Sequence, residues 1–235
     1  MMESILKAID LNTFYDRSHI LFNVTLEVAP GETVCLMGRN GVGKTTTFRS
    51  LMGLTPPKTG TVVFKGKDCS GWASYRMARM GLGFVPEDRR ILGPFTVREN
   101  LELGRIPGRS GRWDIDAVFK QFPLLADMPE RMGGTLSGGE QQMLTIARAL
   151  MGNPDVLMLD EPSEGLSPVI VGELKRLIQD LKAADTTILL SEQNLKFALA
   201  VSDRVVVLDK GHVVYGGSVA QFQKEEKIHK KYLAV

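Results

Sequence analysis

Apolar runs of strand length recur along this chain and predict a fold based on a sheet. Thr33–Met37 is nearly continuous in apolar residues and ends at Gly38, which indicates a strand buried on both faces, as in a parallel sheet. Residues 24–28 alternate apolar and polar side chains before a Pro-Gly turn and predict a further strand. The remaining predicted strands are Leu82–Val85, 60–65, 156–159, 187–190, 204–208 and the hairpin return 212–215.

Segments in which apolar residues have helical spacing lie between these strands. One helix is predicted to open at 41–44 and to continue through Leu51. Another begins near Pro168, and its apolar face is formed by Ile170, Leu174, Leu177, Ile178 and Leu181. Between strands 82–85 and 156–159 the pattern is helical, with helices predicted at 97–103, 115–122 and 141–151. The C-terminal segment 219–233 is predicted to form an amphipathic helix.

Alternation of strands and helices predicts an α/β protein with one domain, residues 1–235. Its core comprises 1–86 and 154–235, and a helical subdomain of about 87–153 is inserted between them. The composition, 43% hydrophobic and 24% charged, is typical of a globular protein and excludes disorder and coiled-coil rods. The apolar runs are far shorter than the roughly 20 residues that span a bilayer, and no secretion signal is predicted at the N-terminus.

Charge and cysteine content narrow the function further. The chain has 29 Lys and Arg against 27 Asp and Glu, and a net charge of +2 does not indicate a nucleic-acid partner. Cys35 and Cys69 lie far apart and match no metal-binding spacing. Cys35 lies in an apolar run and is predicted to be a buried free thiol, and we expect a cytoplasmic, reducing compartment.

The first chemical signal is a phosphate loop between a predicted strand and a predicted helix. Its pattern is two glycines followed by Lys and Thr, which allows successive backbone N–H groups to face one anion at a helix N-terminus. Lys44 is predicted to reach the β- and γ-phosphates, and Thr45 to bind Mg²⁺. The predicted nucleotide-binding residues of this segment are Gly38, Arg39, Asn40, Gly41, Val42, Gly43, Lys44, Thr45 and Thr46.

The second signal is a pair of carboxylates after the apolar strand 156–159. The end of such a strand lies at the carboxyl edge of the sheet, where α/β proteins bind ligands. Asp160 is predicted to hold Mg²⁺, and Glu161 to polarise the attacking water as general base. The two signals together indicate a nucleotide hydrolase.

The third signal is the segment 136–142, Leu-Ser-Gly-Gly-Glu-Gln-Gln, which precedes a predicted helix. Ser137 is placed as an N-cap, and the two glycines after it leave N–H groups exposed at a positive helix end. Together with the phosphate loop and the acidic strand, this segment resembles the signature motif of ATP-binding-cassette (ABC) ATPases. The order of motifs along nearly the whole chain is also similar to that of the family.

The resemblance implies a P-loop NTPase core of the RecA-like type, an N-terminal antiparallel β subdomain and an inserted helical subdomain. It implies that ATP and Mg²⁺ bind, and that Tyr15 stacks on adenine. Two subunits would sandwich the nucleotide, the signature of one closing over the ATP of the other. The residues that would contact the facing subunit's ATP are Ser137, Gly138, Gly139 and Glu140.

Three positions depart from the usual family pattern. Glu87 stands where the family has a lid glutamine, and its carboxylate can still accept a hydrogen bond from Mg²⁺-bound water. Gln193 stands where the family has a switch histidine, so it can donate to the γ-phosphate but cannot carry a proton. Ser167 replaces the usual aspartate of the D-loop. We expect Glu161 and Gln193 to be the catalytic residues, with hydrolysis depending mainly on Glu161.

With these residues at the three positions, the chain resembles the ATPase subunits of branched-chain amino-acid importers. The implied partners are a second ABC ATPase, identical or paralogous, transmembrane permease subunits and, indirectly, a periplasmic substrate-binding protein. The chain would then lie on the cytoplasmic face of the inner membrane as a peripheral protein. Alternatives are a urea or amide importer, a lipid or lipopolysaccharide exporter that would be expected to keep the lid glutamine and the switch histidine, and a soluble ABC ATPase with no transport role.

Overall fold

The computed structural model describes residues 3–228 and 231–232, and its strands form two sheets. The strands are β1 (Leu6–Tyr15), β2 (Ser18–Val28), β3 (Thr33–Met37), β4 (Thr59–Phe64), β5 (Lys67–Asp68), β6 (Leu82–Val85), β7 (Val156–Asp160), β8 (Thr187–Glu192), β9 (Arg204–Asp209) and β10 (His212–Ser218). The helices are α1 (Lys44–Leu51), α2 (Ser74–Met80), α3 (Val97–Glu102), α4 (Ile115–Gln121), α5 (Pro123–Ala126), α6 (Gly138–Leu150), α7 (Pro168–Ala183), α8 (Leu195–Val201), α9 (Val219–Phe222) and α10 (Glu226–Ile228).

The two sheets differ in strand direction. An antiparallel sheet has the order β2-β1-β4-β5. A six-stranded sheet has the order β10-β9-β3-β8-β7-β6, parallel from β9 to β6, with β10 antiparallel at one edge. The predicted α/β fold with an antiparallel subdomain is therefore confirmed.

β3 is buried on both faces, which explains why its sequence is almost continuously apolar. All five residues of β3 are buried. Cys35 and Met37 face one hydrophobic cluster, whereas Val34 and Leu36 face a second cluster that also contains residues of β1, β2 and α1. Burial raises the pKa of the Cys35 thiol well above its usual value, in agreement with the prediction of a buried free thiol.

The segment between β6 and β7 carries α3, α4, α5 and α6. Its buried side chains, such as Trp113, Val118 and Leu144, join the same hydrophobic cluster as Leu157 of β7 and Leu174 of α7. The helices therefore pack onto the sheet through one continuous core. The predicted limits of the insertion, 87 and 153, fall in the connections after β6 and before β7.

The prediction of one C-terminal helix over 219–233 is wrong in its described part. Ser218 caps α9 with a capping box, but the helix ends at Phe222, whose side chain is buried. A separate short helix, α10, begins at Glu226, and residues 229–230 and 233 of the predicted helix lie outside the described residues. Anchoring of Phe222 in the core turns the chain before the charged run 224–227. Among the described residues, no helix is both long and apolar enough to cross a bilayer.

Candidate active site

Neighbouring parallel strands bring the predicted chemistry to one edge of the sheet. The phosphate loop follows β3, Asp160 ends β7, Gln193 follows β8, and Glu87 lies two residues beyond β6. These four strands are adjacent in the order β3-β8-β7-β6 and run in the same direction, so their carboxyl ends lie side by side. This edge is where an open α/β sheet binds its ligands.

The glycines of the phosphate loop are required by close contacts. A Cβ on Gly38 would lie 2.5 Å from the Leu208 carbonyl oxygen, and one on Gly43 would lie 2.7 Å from a methyl group of Leu21. Gly43 is also the N-cap of α1, with φ at 112°, a left-handed conformation that favours glycine. The loop therefore curls tightly over the N-terminus of α1, in the arrangement that binds a phosphate group.

Lys44 joins the phosphate loop to the acidic strand end. Its Nζ donates to the carbonyl oxygens of Gly38 at 2.8 Å and Arg39 at 2.9 Å. It also forms an ion pair with Glu161 Oε1 at 3.0 Å, and its side chain is almost fully buried. The ammonium group is thus held between the loop and the carboxylates, where it can bind the terminal phosphates of a nucleotide.

Asp160 fits the role of a magnesium ligand. Its Oδ1 accepts a hydrogen bond from Ser191 Oγ at 2.6 Å, whereas its buried Oδ2 has no hydrogen-bond partner among the described residues. Burial raises the pKa of this carboxyl, and the hydroxyls of Ser191 and Thr45 oppose that shift. Thr45, Glu87 and Asp160 line one cleft of about 420 Å³, and such oxygen donors are the ligands that Mg²⁺ prefers.

Glu161 is held in an uncommon backbone conformation beside Asp160. Its φ is 46°, and its N–H donates both to Ser191 O at 3.2 Å and to Ser191 Oγ at 2.9 Å. The hydrogen bond and charge of Glu161 raise the pKa of Glu164 to about 7. A buried carboxylate with a fixed backbone, beside the ammonium group of Lys44 and the carboxyl of Asp160, can act as a general base.

The last residue of β8, Glu192, contributes to the site although its sequence position alone did not predict this. Glu192 is buried, and its carboxylate accepts hydrogen bonds from the N–H groups of Ser163 at 3.1 Å and Asn194 at 3.3 Å. Burial raises the pKa of Glu192. The carboxylate of Glu192 thereby links the loop after β7 to the backbone beside the exposed Gln193. The available signal was the position of Glu192 at the carboxyl end of an apolar strand, like that of Asp160.

Glu87 and Tyr15 lie at the rim of the site. Glu87 is exposed, and partial burial together with the charges of Glu161 and Asp160 raises its pKa. Tyr15 ends β1, pairs with Ser18 across the turn to β2 and is 42% exposed. The roles of Glu87 in metal binding and of Tyr15 in adenine stacking remain predictions.

The signature turn forms the N-terminus of α6. Ser137 is the N-cap: its Oγ accepts from the Glu140 N–H at 3.4 Å, and its own N–H donates to Glu140 Oε2 at 2.6 Å. This capping box holds the turn, and the Ser137 N–H lowers the pKa of Glu140. A Cβ on Gly139 would lie 2.8 Å from Ile170 of α7. Glu140 thus stabilises the turn. The contact of this turn with the ATP of a facing subunit stays a prediction.

Comparisons with known proteins agree with this geometry. The family model described as "ABC transporter" matches residues 21–164. The chain is 38% identical over 225 residues to the high-affinity branched-chain amino acid transport ATP-binding protein BraG of Pseudomonas aeruginosa, covering 95% of this chain and 97% of BraG. It is 33% identical to the lipopolysaccharide export system ATP-binding protein LptB of Haemophilus influenzae, covering 98% and 97%. The structure of a nucleotide-free ATP-binding cassette from an ABC transporter superposes with a TM-score of 0.83 at 26% identity, covering 99% of each chain.

Proposed function

Because this chain belongs to the ABC transporter family and is an ATPase, we propose that it is the ATP-hydrolysing subunit of an importer of branched-chain amino acids. One structural observation supports ATP hydrolysis by this chain. Lys44, Asp160 and Glu161 meet at the carboxyl edge of the parallel sheet, with the lysine bound to both the phosphate loop and the general base. That edge can bind a nucleoside triphosphate, a magnesium ion and an attacking water together.

In this proposal the residues act in a fixed order. The phosphate loop and Lys44 would bind ATP, and Thr45 and Asp160 would hold Mg²⁺, which when bound would offset negative charge on the phosphates. Glu161 then accepts a proton from water, and Gln193 donates a hydrogen bond to the terminal phosphate. The signature turn of a second subunit, identical or paralogous, supplies a positive helix end on the other side of that phosphate.

A groove near the lid supports the proposed permease contact. It has a volume of about 380 Å³ and lies between α2, the end of α3 and α6. The exposed apolar side chains along it are Leu54, Tyr75 and Leu103, and Pro86 of the lid connection also borders it. We propose that permease subunits dock here on the cytoplasmic face of the inner membrane, and that a periplasmic binding protein delivers the substrate to them.

The substrate class rests on BraG and on two residues of this chain. Glu87 and Gln193 replace the glutamine and histidine that an exporter ATPase would be expected to keep. The likeness to LptB makes lipopolysaccharide export the second candidate. Proteoliposomes that contain the permease complex copurified with this chain distinguish the two. ATP-dependent leucine uptake supports the proposal, and copurification with a lipopolysaccharide exporter instead refutes it.

The enzymatic part is tested by Glu161→Gln. This variant should bind ATP with unchanged affinity, lose turnover and accumulate a dimer with ATP in analytical ultracentrifugation, because only the proton acceptor has been removed. Gln193→Ala is the companion variant and should slow turnover less. A hydrolysis rate in Glu161→Gln equal to that of the unmodified chain would exclude Glu161 as the general base.

A further inference from the structure

Residues 86–90 form a turn around Glu87, called here the lid turn. The backbone of Arg89 in this turn is hydrogen-bonded to α6, the helix that follows the signature segment. The Arg89 carbonyl oxygen accepts hydrogen bonds from Thr145 Oγ1 at 2.8 Å and from Arg148 Nη2 at 3.4 Å, and both donors are residues of α6. Arg89 and Arg90 have φ values of 58° and 48°, consecutive left-handed conformations that are uncommon outside glycine. The turn therefore has a defined and unusual shape that contacts with α6 maintain.

The side chain of Arg89 connects this turn to two further segments. Its Nη1 lies 2.8 Å from the point that a Cβ on Gly138 would occupy, so the guanidinium packs directly on the signature glycine. Its Nη2 donates to the Glu164 carbonyl oxygen at 3.5 Å, in the loop that follows Glu161. One planar group thus touches the signature turn and the loop after the general base.

Ordinary ion pairing does not explain this placement. A cation beside the N-terminus of a helix is electrostatically disfavoured, and α6 is 13 residues long. The described residues place no carboxylate oxygen within ion-pair distance of Arg89. Arg90, its neighbour, instead pairs with Asp88 in solvent, and both of those side chains are more than half exposed.

We propose that Arg89 is a positioning residue that holds the signature turn and the loop after Glu161 in register with the lid turn. The inference rests on the proposed function, because both segments would face a second subunit's nucleotide. A guanidinium can make the connection because its planar fork presents nitrogens in two directions, which a lysine ammonium cannot do. Through Arg89, displacement of Glu87 at the chain's own nucleotide would move the surface that closes on the other one.

Hydrogen–deuterium exchange on the intact chain without nucleotide tests the positioning role directly. Arg89→Ala and Arg89→Lys should both raise exchange at 137–141 and 164–166, since neither side chain can touch both segments. Alanine at φ 58° has the same kind of backbone cost as arginine, so only the side chain is changed. Arg90→Ala is the matched control and should leave exchange in both segments unchanged.

The consequence is measured in the Glu161→Gln background. Arg89→Ala should weaken ATP-driven dimerisation about tenfold, whereas ADP affinity by calorimetry and the midpoint of thermal unfolding should remain those of the parent. Unchanged exchange in Arg89→Ala, or exchange in Arg89→Lys equal to wild type, would overturn the inference. So would a parallel fall in ADP affinity and thermal midpoint, because that pattern indicates a general loss of structure. If the Glu161→Gln parent binds no ATP, the proposed function fails and takes the inference with it. If it binds ATP without forming a dimer, the second subunit is a paralogue, and the exchange experiment alone decides the inference.

Discussion

At the scale of single residues, the carboxyl of Glu164 beside the general base has a pKa raised into the neutral range. The pKa of Glu164 is raised from 4.5 to about 7, first by its hydrogen bond to Glu161, then by partial burial and the charge of Glu161. A carboxyl with a raised folded-state pKa binds its proton more tightly in the folded than in the unfolded chain. Its contribution to the free energy of unfolding is therefore present below pH 4.5 and is lost as the pH rises to 7.

Glu164→Gln should remove this pH dependence, because an amide cannot lose a proton. Between pH 5 and pH 8, the free energy of unfolding of the variant should fall less than that of the unmodified chain. Urea denaturation at the two pH values measures this difference. Glu173→Gln, at an exposed position on α7, is the control. Equal pH dependence in the unmodified chain and in Glu164→Gln would show that Glu164 does not bind its proton more tightly in the folded chain.

The residues of the phosphate loop could be predicted because their chemistry is local in sequence. Gly38, Gly43 and Lys44 lie within seven consecutive residues, and the spacing of the glycines by itself predicts a loop that can wrap around a phosphate. Ser191 and Glu192 could not be identified in this way, since their partners lie about thirty positions earlier in the sequence, on the neighbouring strand and its loop. Which strand is the neighbour depends on sheet order, which periodicity does not reveal.

At the scale of elements, Asn100 of α3 holds the loop that precedes its own helix. Its side-chain N–H groups donate to the carbonyl oxygens of Leu92 at 3.0 Å, Phe95 at 3.1 Å and Thr96 at 2.9 Å. Its Oδ1 accepts from the Leu92 N–H at 3.2 Å and from Arg148 at 3.3 Å. The side chain is fully buried, so these backbone groups have no access to water through it.

Asn100→Ala should lower the free energy of unfolding by about 1–3 kcal/mol, because buried polar groups lose their partners. Arg98→Ala, in the same helix, should cost at most about 1 kcal/mol, since its ion pair with Glu130 is exposed. Urea denaturation of both variants measures the difference. If both variants lower the free energy of unfolding equally, the hydrogen bonds of Asn100 contribute little to stability.

Element prediction succeeded where the apolar pattern was long or continuous. β3 and β6 were predicted to the residue, and α7 was predicted from a face that repeats over several turns. α2 and α8 were not predicted although α4 is equally short, because α2 buries only Met77 and six of the seven residues of α8 are apolar, so neither segment shows a 3.6-residue period. The pattern at the C-terminus suggested one long helix, because amphipathic spacing alone does not show that burial of Phe222 ends α9.

At the scale of the whole molecule, the apolar groove beside the lid is the surface that we propose for the permease contact. Leu103 is 57% exposed and lines this groove, whereas Leu124 is 37% exposed and lines a different cavity against α7. Both leucines belong to the inserted helical segment, and neither is a core residue. A charged substitution at either position should therefore change folding stability little.

Leu103→Asp should reduce copurification of this chain with its permease subunits by about tenfold or more, because a carboxylate in an apolar contact must be desolvated without a partner. Leu124→Asp should copurify as the unmodified chain does. The rate of ATP hydrolysis by the isolated chain should be the same in all three proteins, since both positions lie outside the nucleotide site. Quantitative pull-down from membranes, beside a phosphate-release assay, measures both properties. Normal copurification of Leu103→Asp would place the permease contact elsewhere, and an equal loss in Leu124→Asp would point to a general effect of charge on the helical segment.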